Sequence, residues 1–109
     1  MVLVTFFFGN QFLNQLNIGV ISGRDFRNCT NDRITTAMKN NFHQSKYSIR
    51  NKVTVISLQS KEYQYKKEHS ILACKVEFTL SNQTTLNYVY QIKYLHGDYY
   101  YESQMIKEY

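Results

Sequence analysis

Apolar and polar residues alternate strictly along the second half of this chain. From Ser70 to Leu80 one side reads Leu72, Cys74, Val76, Phe78 and Leu80, and the other reads Ala73, Lys75, Glu77 and Thr79. From Leu86 to Tyr94 one side reads Leu86, Tyr88, Tyr90, Ile92 and Tyr94, against Asn87, Gln91 and Lys93. A period of two predicts strands with one buried and one wet face. Ser81-Asn82-Gln83-Thr84 joins the two strands, and Leu95-His96-Gly97-Asp98 reads as a turn with glycine where positive φ is easiest. A last strand is expected from about Tyr99 to Ile106. An earlier one is expected over Lys52 to Gln59, where Val53, Thr54, Val55 and Ile56 are β-branched. Both faces of that earlier strand are partly apolar, so it is either central or bulged. Lys61 to His69 reads as an exposed hairpin end.

Upstream the period changes. Ile34, Ala37, Met38 and Phe42 make a helical stripe, with Thr30 or Asn31 as its cap and Asp32 in the first turn, at the positive end of the dipole. Asn40-Asn41 lowers helix propensity and predicts the stop. Phe12, Leu13 and Leu16 suggest a further short helix around residues 8–16. The fold expected is α+β: one N-terminal helix, or two, packed on a four-stranded antiparallel meander.

The length fits a single small domain, read as residues 24–109, preceded by a segment, 1–23, without one charged side chain. Asn10, Gln11, Asn14 and Gln15 interrupt its apolar run, so a membrane span is not expected. The segment is either a helix or strand of the domain itself or the remnant of a targeting sequence. Proline is absent, glycine is scarce, and no repeat marks a boundary. Tyrosine is abundant, and most of it lies in strand-like stretches, which fits sheet packing before it fits a recognition surface.

All of the excess positive charge falls within residues 24–52. Arg24, Arg27, Arg33, Lys39, Lys46, Arg50 and Lys52 are opposed there only by Asp25 and Asp32, whereas beyond Lys52 the charges cancel. Such a patch is either a solvated face or a docking surface for nucleic acid, an anionic membrane surface or an acidic protein.

Cys29 precedes the capped helix, and Cys74 shares the core phase of its strand. A helix start packed on the sheet can bring the two sulfurs together. A bridge would close a loop of 45 residues and point to an oxidising compartment, periplasmic or secreted. The alternative is two buried thiols acting as small apolar groups. The run Cys29-Thr-Asn-Asp32, the strand Leu72-Ala-Cys-Lys-Val-Glu-Phe78, the strand Leu86-Asn-Tyr-Val-Tyr-Gln-Ile-Lys-Tyr94 and the terminal Gly97-Asp-Tyr-Tyr-Tyr-Glu102 resemble small secreted or lipid-anchored bacterial proteins of uncharacterised function. The resemblance covers residues 28–106 and implies a sheet similar to NTF2-like or cystatin-like folds. Arg27 and Asn28 precede Cys29, which is no lipobox, so a lipid anchor at Cys29 is not expected.

Chemistry is sparse. No CxxC occurs, and His43, His69 and His96 are scattered without metal-ligand spacing and expected at the surface; no cofactor or metal is implied. A cone-fold enzyme would use Tyr88, Tyr90 and Tyr101 around a cavity, but no carboxylate sits at core phase beside them. Asn28-Cys-Thr30 and Asn82-Gln-Thr84 match the glycosylation pattern, which matters only in a secreted eukaryotic protein. The expected function is a non-catalytic extracytoplasmic module that binds a protein or joins a bacterial envelope or secretion assembly. Its docking rails would be the first and last strands of the meander, whose edges offer unpaired backbone groups, and the polar face of the third strand, Asn87, Gln91 and Lys93, is the next surface to consider. The alternative is a small cytoplasmic basic protein that binds nucleic acid, or a nucleic-acid enzyme, through residues 24–52.

Overall fold

The computed structural model describes residues 14–106 of the chain. After a short strand β1 (Asn14–Gln15) and a 3-10 turn (Asp25–Arg27) come helices α1 (Asp32–His43) and α2 (Lys46–Asn51). Four strands follow: β2 (Val55–Lys66), β3 (Ile71–Leu80), β4 (Thr85–Leu95) and β5 (Asp98–Ile106).

The cap of α1 is Asn31, whose Oδ1 accepts from the backbone N–H groups of Arg33 (2.9 Å) and Ile34 (3.4 Å). Ile34, Ala37, Met38 and Phe42 are all buried, as the stripe predicts. Asn40 and Asn41 do not stop the helix, which runs on to His43. Packing outweighs propensity there: Phe42 stacks on Phe78 with ring centroids 4.9 Å apart, and Asn41 is held from the sheet by two tyrosines.

Helix α2 was not expected from the pattern. Ser45 caps it, with Oγ accepting from the N–H of Ser48 (3.2 Å). Lys52 ends it in the left-handed region at φ 53°. The Ser48 hydroxyl then donates to the carbonyl of Val53 (2.7 Å), so a buried polar group is satisfied as the chain turns into the sheet.

The sheet is antiparallel and has five strands in the order β1-β5-β4-β3-β2. The expected meander is present as β2 to β5. The fifth strand is β1, where Asn14 and Gln15 pair with Tyr101 and Tyr100 along the outer side of β5. These two residues are therefore extended, not helical; the rest of the helix expected over residues 8–16 lies outside the described residues apart from Leu16, whose N–H donates to the carbonyl of Tyr99 (2.8 Å). Leu16 and Ile18 enter the core.

Register places Leu72, Cys74, Val76 and Phe78 opposite Ile92, Tyr90, Tyr88 and Leu86 on the face beneath the helices. That face and the α1 stripe make one continuous core. The first meander strand is longer than expected. It runs through Lys61 to Lys66 and carries two register irregularities, between Val55 and Ser57 and between Glu62 and Gln64. The exposed hairpin end contracts to a 3-10 turn, Lys67–His69, closed by Ser70 at φ 52°.

Candidate functional site

Cys29 and Cys74 form a disulfide, with an S–S distance of 2.03 Å and Cα atoms 5.7 Å apart. Both are buried. Local geometry delivers Cys29 to the sheet: Phe26, in the 3-10 turn, packs on Tyr99 (ring centroids 5.3 Å), and the Oδ1 of Asn28 accepts from the N–H (3.0 Å) and hydroxyl (2.6 Å) of Thr30. The bridge therefore ties the segment leading into α1 to a central strand. Asn28 and Asn82, the two glycosylation-pattern asparagines, both head exposed turns of this kind.

Next to the bridge lies β2, which pairs with β3 on one side and, among the described residues, with no strand on the other. Thr54 turns its backbone inward, donating to Ser81 Oγ and accepting from the Ser81 N–H. The following amide, Val55 N–H, donates to Nε2 of His43 (3.0 Å). In that bond Nε2 is the acceptor. His43 is thus half-buried and in use, not free at the surface, whereas His69 and His96 are exposed as expected.

Beyond Val55 the edge borders two concavities. One, of about 500 Å³, lies between α1 and residues 55–60 and is walled by Thr30, Thr35 and Lys39. The other, of about 540 Å³, runs on beside residues 60–62, walled by Arg24, Arg27 and Cys29. They share Thr30 and Ser60, so a single trough follows the edge from Val55 to Glu62. On its strand side Ile56, the residue at the first irregularity, is 63% exposed.

All seven expected cations are exposed. The trough gathers three of them, Arg24, Arg27 and Lys39. Arg33 lies instead beside Val20 and Ile21. Lys46 and Arg50 ride on α2, and Lys52 is its C-cap. Arg27 sits 3.9 Å from Glu62 and over the ring of Tyr65 (4.9 Å), so it clasps β2. The sequence pattern did not show that Lys61 and Ile56 belong with these cations. The bulge that turns Ile56 outward depends on the pairing of β2 with β3 and has no local signature.

Of two other surfaces, the tyrosine face fills the core as its phase implies, and the far face of the sheet departs from expectation. Tyr90 is sealed in the core; its hydroxyl donates to Asn41 Oδ1 (2.9 Å), and Asn41 Nδ2 donates to the hydroxyl of Tyr101 (2.7 Å). Burial first, then the neighbouring Tyr101 and Tyr88, push the Tyr90 phenol far above its ordinary range. This network docks α1 on the sheet, and its hydroxyls are already satisfied.

The far face of β3 and β4 is not uniformly wet. Ala73, Val89 and Gln91 are buried there, while Asn87 and Lys93 are half-buried. Gln91 is thus not the exposed polar group that alternation implies. Beside it, Glu102 has its Oε2 shielded from solvent without a hydrogen-bond partner among the described residues, and burial raises its carboxyl above the usual range.

Among the described residues no three His, Cys, Asp or Glu side chains gather as metal ligands, and no helix is long and apolar enough to cross a membrane. The chain matches no family model, no curated protein and no solved structure.

Proposed function

We propose that this chain is a non-catalytic binding or assembly module that works outside the cytoplasm, in a bacterial envelope or secretion system. The observation that carries the reading is the buried Cys29–Cys74 bridge. Structural disulfides persist in oxidising compartments, and small domains there use them to offset a limited core. The long outer strand β2 supports the binding half of the reading. It leaves backbone donors and acceptors along a trough, and strand edges of this kind are common peptide-docking rails. The resemblance to secreted and lipid-anchored bacterial proteins points the same way.

Free thiols counted by alkylation and intact mass, under denaturing conditions without reductant, test the compartment. The protein exported to an oxidising compartment should show none, and reduction should lower its stability. Two free thiols in both exported and cytoplasmic preparations would remove the reading.

One observation favours a second reading, the cytoplasmic nucleic-acid binder: all seven cations of residues 24–52 are exposed on the helical layer and its flanks. Phosphate contacts release counterions, so that binding should fall steeply between about 50 and 200 mM salt. Affinity for single-stranded DNA that is unchanged over this range would exclude it.

A further inference from the structure

We propose that the trough along β2 takes an extended acidic segment of a partner protein as an added strand, a site that presupposes the binding-module reading above. Three independent features converge there. The first is backbone: among the described residues β2 has an unpaired side, and its first outward amide is already taken by His43, so the incoming strand pairs beyond Val55. The trough runs beside residues 55–62, a length of about 25 Å in extended chain, enough for seven or eight partner residues at the usual rise per residue.

The second feature is charge. The acidic groups around the trough are Asp25, Asp32 and Glu62: Asp25 opens the 3-10 turn, Asp32 lies in the first turn of α1, where the helix dipole favours it, and Glu62 faces Arg27, so the cations Arg24, Arg27, Lys39 and Lys61 outnumber them by one. Arg24, Lys39 and Lys61 form no ion pair among the described residues. They lie toward both ends of the trough, Lys39 on the α1 wall and Arg24 with Lys61 at the far end, where carboxylates of a bound strand would meet them. The third feature is apolar. Ile56 stands exposed near the Val55 end of the trough and offers a contact to one β-branched or aliphatic side chain.

A second copy of this chain is the poorer occupant. It carries a net charge of +5 and would bring its own Lys61 and Lys66 to the same edge. The disulfide shapes the site as well. Cys29 forms part of the trough wall, and its partner Cys74 pairs directly with Glu62 of β2, so the bridge sets the distance between wall and strand.

Amide chemical shifts of the oxidised ¹⁵N-labelled protein, followed during titration with synthetic peptides of ~8 residues, test this. One peptide alternates Glu with Val and Thr, a second replaces every Glu by Lys, and a third is the acidic peptide N-methylated at alternate residues. The acidic peptide should shift residues 55–62 together with Thr30 and Lys39. Binding should weaken by about tenfold or more with the lysine peptide and with the N-methylated one, since these lose the ion contacts and the ladder respectively.

The double variant Lys39→Glu with Lys61→Glu changes only exposed side chains and should reverse the preference for acidic over basic peptide. Reduction should weaken acidic-peptide binding. Equal binding of the N-methylated peptide, or no shift at millimolar acidic peptide, overturns the added strand. Shifts that track Arg33, Lys46 and Arg50, with displacement by a single-stranded oligonucleotide, overturn it in favour of a general cationic face. A bridged protein that ignores the acidic peptide sinks the trough alone. A reduced protein from both compartments that still binds it sinks the extracytoplasmic reading alone.

Discussion

β2 and β3 lie side by side in one sheet, yet they have opposite surroundings. In β3 the residues Leu72, Cys74, Val76, Phe78 and Leu80 are wholly buried. In β2 the corresponding cross-strand positions are Tyr65, Glu62, Ser60, Leu58 and Val55; only Val55 is buried, while Leu58 and Tyr65 are half-buried against the core. Both strands are rich in β-branched and aromatic residues, so strand propensity does not separate them. Position does. β3 has a strand on each side and α1 packed on its buried face, whereas β2 has, among the described residues, one strand neighbour, two irregularities and the trough on its other side. Bulges and charged side chains such as Lys61 and Lys66 are the usual ways to keep a long edge strand from pairing indiscriminately. Stability is thus concentrated under α1, and the outer strand is left available for recognition.

That contrast can be broken most directly in the core. Phe78→Ala removes the ring that stacks on Phe42 and meets Tyr88 and Tyr90 edge-on. It should cost about 3–5 kcal/mol in urea unfolding. The double variant Cys29→Ala with Cys74→Ala should lose about 3–4 kcal/mol relative to the oxidised protein, the chain-entropy value for a loop of this size. In excess reductant the two proteins should converge; a difference that persists there would place the effect in packing and not in the cross-link.

Asn41→Ala leaves the buried Tyr90 hydroxyl without its acceptor. It should cost about 1–3 kcal/mol, and Tyr90→Phe in the same background should recover part of the loss.

Glu102 sharpens the comparison through pH. Its folded-state carboxyl is raised by burial, so the charged form is the disfavoured one. The penalty is absent below the unfolded carboxylate pKa and is fully present once pH has risen through the folded value. Glu102→Gln should therefore raise Tm by about 1–2 °C at neutral pH. The gain should vanish as pH falls into the ordinary carboxylate range, and equal gains at both ends would point to a cause other than ionisation. The smallest effect belongs to the outer strand. Ile56→Thr changes an exposed side chain and should move stability by no more than about 0.5 kcal/mol, while weakening the acidic peptide. A large stability loss at Ile56 would mean that β2 is part of the core after all.

Much of this division was readable from residue spacing alone. The period of two located β3, β4 and β5 within a residue or two, and the stripe Ile34, Ala37, Met38 and Phe42 found the buried side of α1. The core phase of Cys74 made the bridge with Cys29 a natural pairing. The misses share a cause. Helix α2 is too short to carry a stripe, and β1 is two residues long, so neither has a periodic signal. Asn41 looked like a helix stop because its tertiary partners, Tyr90 and Tyr101, lie 49 and 60 residues away. Gln91 looked wet because alternation describes only which face a side chain takes and not whether that face is covered.

The sequence by itself determined the element types of α1 and of β2 to β5, the core-facing residues of α1, β3 and β4, and the location of the excess charge. These follow from local periodicity and composition, which each segment carries in itself. Only the tertiary structure decided that β1 covers the last strand, so that β2 alone of the two expected edges stays open among the described residues, that Ile56 is turned outward, and that Arg24, Lys39 and Lys61 flank the same trough. Strand order and register are set by which neighbours best bury their apolar faces together, and that competition involves the whole chain at once.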